Sequence, residues 1–123
     1  MRKVLIIDDS EASLFLLQSV FIEDREVKVI IENKSSRALA EIKKEKPDVI
    51  LLDLMMPHVD GFKILENIQK DETIKNIPVI IISARYDEES YARAKTFRVF
   101  DYIKKPIDLH EIRKKVYEAL VQH

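Results

Sequence analysis

Short runs of aliphatic residues recur along the chain, each followed by a more polar stretch. Five runs have the length and β-branched content of strands in a parallel sheet: residues 4–7, 27–31, 49–52, 77–83 and 99–103. The fifth run mixes apolar and charged residues more than the others do, which predicts a strand at the edge of the sheet. We therefore expect five strands, of which those at residues 49–52 and 77–83 are buried and the fifth lies at an edge.

Apolar residues three and four positions apart predict a helix after each strand. Ser10 is suited to cap the first helix, which should end near Phe21, and the second helix should stop before Pro47. Asp60 and Gly61 are typical of a turn and cap before the third. This alternation predicts one α/β domain over residues 1–123, with helices on both faces of a parallel sheet in a doubly wound order.

Composition excludes several classes of site. The 123 residues carry a net charge of −1, which gives no electrostatic case for direct binding to nucleic acid or an anionic membrane. There is no cysteine, and therefore no disulfide or thiolate metal site. The one glycine, Gly61, cannot supply the glycine-rich loops of common nucleotide sites. No apolar run reaches the roughly 20 residues of a membrane helix, and the composition is compatible with a cytoplasmic location.

Residues with matching chemistry follow four of the predicted strands. Asp8 and Asp9 come after the first strand and Asp53 after the third, while Ser83 ends the fourth and Lys105 follows the fifth. Taken singly, each acid could be an exposed strand end, Ser83 a helix cap and Lys105 a solvated lysine. If the strands are neighbours, the carboxylates converge and require a cation or a proton. A hard ion such as Mg²⁺, together with a hydroxyl and an ammonium, suits a phosphoryl group.

In these motifs the sequence resembles the receiver domain of two-component response regulators, over essentially its whole length. The matching segments are Val4-Leu5-Ile6-Ile7-Asp8-Asp9-Ser10, Leu51-Leu52-Asp53-Leu54-Met55-Met56-Pro57, Asp60-Gly61, Ser83-Ala84 and Tyr102-Ile103-Lys104-Lys105-Pro106. The resemblance implies a flavodoxin-like (βα)5 sheet with strand order 2-1-3-4-5. It also implies a stand-alone signalling switch that assists its own phosphorylation and dephosphorylation but is not otherwise an enzyme.

The resemblance assigns a role to each matching residue. Asp53 would accept a phosphoryl group from the phosphohistidine of a histidine kinase or phosphotransfer protein. Asp8, Asp9, Asp53 and the backbone carbonyl of Met55 would hold Mg²⁺, with Mn²⁺ or Ca²⁺ as substitutes. Ser83 and Lys105 would bind phosphoryl oxygens, the Lys105-Pro106 bond would be cis, and Ser83 and Tyr102 would form the switch. Phosphoryl transfer depends mainly on positioning and charge neutralisation, which these groups provide.

The same resemblance implies an output surface on the fourth helix, fifth strand and last helix. The residues on it would be Tyr91, Lys95, Tyr102, Lys104 and Lys114. Tyr91 is either an exposed aromatic contact or a side chain partly packed on a neighbouring helix. The partners would be the kinase or phosphotransfer protein and a downstream protein. We expect a monomer that could dimerise on phosphorylation.

Some positions depart from the family pattern. Arg98 and Val99 replace a glycine and an alanine before the fifth strand, which predicts a changed turn there. His58 lies in the loop after Asp53, where we interpret it as an exposed loop residue. Met55 and Arg85 occupy places that tune phosphoaspartate hydrolysis in the family, in a direction that the sequence does not give.

Three other functions compete with a phosphorylated receiver. An interaction domain that has lost phosphorylation would not need the intact set of acids. A phosphohydrolase with an aspartyl nucleophile typically has a second acid two residues on, where this chain has Met55. A flavin-binding electron carrier would need a hydroxyl- and glycine-rich loop in place of Asp8 and Asp9, whose charges would repel its phosphate.

Overall fold

The computed structural model describes residues 1–56, 60–84 and 87–121. Five strands alternate with five α-helices, and a short 3₁₀ turn precedes the second helix. In chain order they are β1 (Arg2–Ile7), α1 (Glu11–Ser19), β2 (Val27–Glu32), the 3₁₀ turn (Ser35–Arg37), α2 (Ala38–Glu45), β3 (Val49–Leu52), α3 (Gly61–Lys70), β4 (Val79–Ser83), α4 (Glu88–Lys95), β5 (Asp101–Lys104) and α5 (Leu109–Val121).

All the strand pairs are parallel, and the order is β2-β1-β3-β4-β5. The flavodoxin-like fold and the edge position of β5 are therefore confirmed. The register aligns the ends of the central strands, because Ile7 pairs with Leu52 and Leu52 pairs with Ile81. Since parallel strands end at one edge, the residues that follow them are brought together there.

The sheet separates two apolar layers, because successive side chains of a strand point to opposite faces. One layer contains Leu5, Leu52 and Ile81 packed with residues of α2, α3 and α4. The other contains Val4 and Leu51 packed with residues of α1 and α5. The central strands β3 and β4 are buried along their whole length, so the site at their ends rests on a closely packed scaffold.

Caps define where the helices begin. The side chain of Ser10 accepts a hydrogen bond from the Ser13 N–H, and that of Asp60 accepts one from the Phe62 N–H at 2.9 Å. Both predicted caps are confirmed, and each satisfies one of the free N–H groups of a first turn. At the C-terminal end of α2, Lys46 adopts the left-handed conformation with φ 45°, so the helix stops before Pro47 as predicted.

Gly61 is the first residue of α3 and lies directly against the loop that follows β3. A Cβ atom at this position would lie 2.5 Å from the Leu54 Cα and 3.0 Å from the Leu54 carbonyl oxygen. The Gly61 N–H also donates to that carbonyl, at 3.3 Å. Glycine is therefore required here by close approach of two backbones, and this contact holds α3 against the loop that carries Met55.

Four predicted boundaries were wrong by two residues. The first strand begins at Arg2 and not at Val4. The first helix ends at Ser19 and not near Phe21, because a turn follows in which the Phe21 N–H donates to the Gln18 carbonyl. The fourth strand begins at Val79, after Pro78, which has no N–H to donate to a ladder. The fifth strand begins at Asp101, after a turn in which Arg98 has φ 53°. None of the helices in the described ranges has the length and apolarity that a membrane span requires.

Candidate functional site

The acidic residues predicted from the sequence meet at the carboxyl edge of the sheet. Asp8 follows β1 and Asp53 follows β3, and one carboxylate oxygen from each of Asp8, Asp9 and Asp53 lies within 4.8 Å of the others. Asp8 and Asp53 are buried, whereas Asp9 is exposed. The site is thus formed of two enclosed carboxylates and one that faces solvent.

Local hydrogen bonds orient the two buried carboxylates. Oδ1 of Asp8 accepts from the Ser10 N–H at 2.9 Å, and Oδ1 of Asp53 accepts from the Met55 N–H at 3.0 Å. The backbone N–H of Asp53 donates to the Ile7 carbonyl at 2.9 Å, which joins the ends of β1 and β3. Each acid therefore has one oxygen fixed by its own loop and its Oδ2 directed at other groups.

Lys105 provides the positive charge between these acids. Its Nζ lies 3.1 Å from Asp8 Oδ2, 3.4 Å from Asp53 Oδ2 and 3.0 Å from Ser13 Oγ. The Lys105 N–H donates to the Ser83 carbonyl at 2.9 Å, so the loop after β5 is tied to the end of β4. The Lys105-Pro106 peptide bond is cis, as the resemblance implied.

Burial and neighbouring charge perturb two of these groups. Burial raises the pKa of Asp53 to about 6, and the adjacent Asp8 charge adds to the increase. The Met55 N–H and Lys105 oppose it but do not cancel it. For Lys105, burial lowers the pKa, but the Asp53 and Asp8 carboxylates outweigh that effect and the net pKa is raised. Lys105 is therefore charged at neutral pH, and the raised pKa of Asp53 means that its surroundings disfavour its ionised form.

The donor set fits a hard divalent cation. Three carboxylates and one ammonium leave two negative charges when all are ionised. Lys105 contacts Asp8 and Asp53, and Asp9 is the exposed member of the group. Carboxylate oxygens are preferred ligands of Mg²⁺ and related ions. The loop of Met55 lies beside the cluster, since its N–H contacts Asp53.

The predicted switch residues occupy the α3 and α4 side of β4 and β5. Ser83 is fully buried at the end of β4. Tyr102 is also buried, pairs in register with Ile81, and packs its ring edge-on against Tyr91 with 5.6 Å between ring centroids. Tyr91 is therefore partly packed, but its ring lies against a residue of strand β5 and not against a neighbouring helix as one interpretation expected.

Ser13, which was not predicted from the sequence, belongs to the same cluster. This residue lies in the first turn of α1, its side chain is buried, and its hydroxyl contacts Lys105. Its position three residues after the Ser10 cap places it in the first turn of α1, but that position alone does not determine which way the side chain faces. His58 and Arg85 lie outside the described residues, as do Pro57, Val59, Tyr86 and residues 122–123.

Comparisons with known proteins agree with this geometry. The family model described as "Response regulator receiver domain" matches residues 4–117. Protein PilH of Pseudomonas aeruginosa is 31% identical over 120 residues, covering 98% of each chain. The transcriptional regulatory protein KdpE of Staphylococcus aureus is 35% identical over 114 residues, 93% of this chain but 48% of KdpE. This chain therefore spans the length of PilH and about half that of KdpE.

Among solved structures, the Mn²⁺-bound form of response regulator Rcp1 superposes with a TM-score of 0.82 at 27% sequence identity. The match covers 96% of this chain and 91% of that one. The family model extends from β1 into α5 and so includes Asp8, Asp53 and Lys105. The chain thus belongs to the receiver domains of two-component response regulators, a family of phosphoacceptor signalling switches.

Proposed function

We propose that Asp53 is the phosphoacceptor and that it receives its phosphoryl group from the phosphohistidine of a histidine kinase or a phosphotransfer protein. The family is one of signalling receivers and not of enzymes. The observation that supports Asp53 is its environment: a buried carboxylate with Oδ1 bound to the Met55 N–H and Oδ2 directed at the Lys105 ammonium. One oxygen is thereby fixed while the other faces a cation.

In the proposed transfer, Asp53 Oδ2 attacks phosphorus and a P–O bond forms as the P–N bond of phosphohistidine breaks. The electron pair of that bond stays on the imidazole nitrogen. Lys105 would balance charge on a phosphoryl oxygen, and the Ser83 hydroxyl would donate to another. Such positioning and neutralisation supply most of the catalysis in phosphoryl transfer.

Asp8, Asp9, Asp53 and the Met55 backbone carbonyl would hold Mg²⁺, with Mn²⁺ or Ca²⁺ as substitutes. The oxygen-only donor set and the excess negative charge support a divalent cation, and response regulator Rcp1 has been solved in a form that holds Mn²⁺. When bound, the ion would neutralise charge on the phosphoryl oxygens. The role of the protein is to keep Asp8 and Asp53 oriented through their loop N–H contacts.

We further propose that phosphorylation changes the surface of α4, β5 and α5, the face that would contact a downstream protein. Ser83 and Tyr102 would be the two elements of the switch. The packing of Tyr102 on Tyr91, and of the Lys95 ammonium 4.5 Å above the Tyr91 ring, links the buried tyrosine to the exposed side of α4. Lys104 and Lys114 would complete this face. Phosphorylation would then shift the populations of two pre-existing states.

We also propose the extent of the domain, its location in the cell and its oligomeric state. Residues 1–123 would form a single receiver domain that acts in the cytoplasm without direct nucleic-acid or membrane contact. It would be monomeric before phosphorylation and could dimerise after it. The balanced net charge of −1 supports the absence of direct nucleic-acid binding.

The test is phosphorylation by acetyl phosphate in the presence of Mg²⁺, followed by intact-mass measurement. The protein should gain the mass of one phosphoryl group, and the gain should be lost with a chelator or in Asp53→Asn. Asp48→Asn is the matched control, because Asp48 directly precedes the first residue of β3, at the opposite end from Asp53. Its carboxylate accepts a hydrogen bond from the Lys3 N–H. An unchanged mass gain in Asp53→Asn would refute the assignment.

A further inference from the structure

Ser13 is a buried polar side chain at the site to which the proposed chemistry gives no role. It is 8% exposed, lies in the first turn of α1, and its N–H is already bound by the Ser10 cap. Its hydroxyl oxygen accepts a hydrogen bond from the Lys105 ammonium at 3.0 Å. This distance is shorter than those from the same ammonium to Asp8 and Asp53. A first-turn helical residue thus contacts a lysine 92 positions away.

The three contacts of Lys105 differ in a way that suggests a division of roles. An ammonium has three N–H donors, and Ser13, Asp8 and Asp53 supply three acceptors at 3.0, 3.1 and 3.4 Å. The longest contact is to the oxygen that would form the new bond to phosphorus. The two shorter contacts, from α1 and the end of β1, would remain in place when that oxygen is modified.

We propose that Ser13 is a positioning residue, which holds the Lys105 ammonium beside Asp53 in the place where a phosphoryl oxygen arrives. This inference rests on the proposed function of Asp53 and Lys105. Lys105 is a long, flexible side chain that is only 17% exposed, so losing one acceptor costs both hydrogen bonding and a defined rotamer. Ser13 also makes α1 part of the phosphorylation site, although it touches no reacting atom.

Acetyl phosphate isolates this effect from any partner protein. In that reaction Asp53 Oδ2 forms a bond to phosphorus while the phosphorus–oxygen bond to the acetyl group breaks, and acetate leaves with the electron pair. Ser13→Ala removes the hydroxyl, so we expect the rate constant to fall by about five- to tenfold, as for the loss of one ordinary hydrogen bond. Ser13→Thr retains the hydroxyl and should restore most of the rate.

The control and the pair test separate positioning from a general loss of structure. Ser19→Ala changes a hydroxyl on the same helix, which bonds the Leu16 carbonyl, and should leave the rate unchanged. In a Lys105→Met background, Ser13→Ala should have no further effect on the rate, because a residue acting through Lys105 has nothing left to position. The Lys105 ammonium should also exchange protons more slowly in wild type and Ser13→Thr than in Ser13→Ala, measured by NMR.

A rate in Ser13→Ala equal to or above that of wild type would overturn the inference. So would an equal loss of rate from Ser13→Ala with and without Lys105, since that pattern indicates a structural effect. Failure of the proposed function looks different, because wild-type protein would then gain no phosphoryl group at Asp53. The two ideas are therefore tested by separate outcomes of one set of measurements.

Discussion

Replacing Asp53 with asparagine should raise the free energy of unfolding of the metal-free protein at neutral pH. Burial raises the pKa of Asp53 from 3.8 to about 6, so the folded state disfavours its charge. A difference of about two pKa units corresponds to about 3 kcal/mol at 1.36 kcal/mol per unit. The attraction of Lys105 is already included in that net value. Asparagine has nearly the same shape and no charge, and should therefore recover most of this energy.

The sign follows from proton linkage. Below pH 3.8 Asp53 is protonated in both folded and unfolded protein and contributes no difference. Between that pH and about 6 the folded protein retains the proton more strongly, so stability decreases as pH rises. Above pH 6 the full penalty applies. The gain from Asp53→Asn should therefore be about 3 kcal/mol at pH 7.5 and about 1 kcal/mol at pH 4.5.

Urea unfolding in the presence of a chelator measures both values. Glu23→Gln, which changes an exposed acid in the turn after α1, serves as a control and should shift stability by less than about 0.5 kcal/mol. Adding Mg²⁺ should stabilise wild type by mass action and narrow its difference from Asp53→Asn. If the asparagine variant is no more stable at pH 7.5, or gains equally at both pH values, the electrostatic account of the site is wrong.

Three further changes test other parts of the structure. Gly61→Ala should destabilise the protein by about 1–3 kcal/mol in urea unfolding, because the added Cβ would clash with Leu54; an unchanged midpoint would contradict the close approach. Asp60→Ala should cost about 1 kcal/mol by the same measurement through loss of the α3 cap, and Asp60→Ser should retain that energy. Lys105→Met should move the pKa of Asp53 above about 6, since a neighbouring positive charge is lost. Titration of the carboxyl group by NMR measures this pKa, and a decrease would contradict the prediction.

The sequence predicted the framework of the site because each strand end is marked by a change from aliphatic to polar residues. The run of Val49–Leu52 is buried throughout, so Asp53 could only lie at its end. Once the parallel order was established, Asp8 and Lys105 had to approach the same edge. The convergence of these side chains could therefore be predicted from residue types and order, without knowledge of any distance.

The sequence could not predict how a helix is rotated about its axis against the sheet. Whether Ser13 faces the site or the solvent depends on how α1 is rotated against the sheet, which its own residues do not determine. The orientation of Tyr102 depends similarly on packing with Tyr91. The predicted first residues of β4 and β5 were wrong for another reason. Each strand begins where its partner strand and the preceding turn allow pairing, and the turn before β5 contains Arg98 with its positive φ. These features arise from tertiary contacts, and local pattern does not encode them.

If Asp53 is the phosphoacceptor, as we propose, charge balance gives a physical reason why its modification would affect Ser83. With a divalent cation present, three carboxylates and Lys105 would sum to zero. If the acyl phosphate resembles other phosphorylated side chains, it carries a charge of roughly −2, so replacing the carboxylate leaves about one extra negative charge.

The Lys105 ammonium already donates hydrogen bonds to Asp8 and Ser13. The additional oxygens would then favour a further donor, and Ser83 carries a buried hydroxyl at the end of the adjacent strand β4. Because Ser83 faces the same side as Tyr102, its movement would change the packing beneath α4.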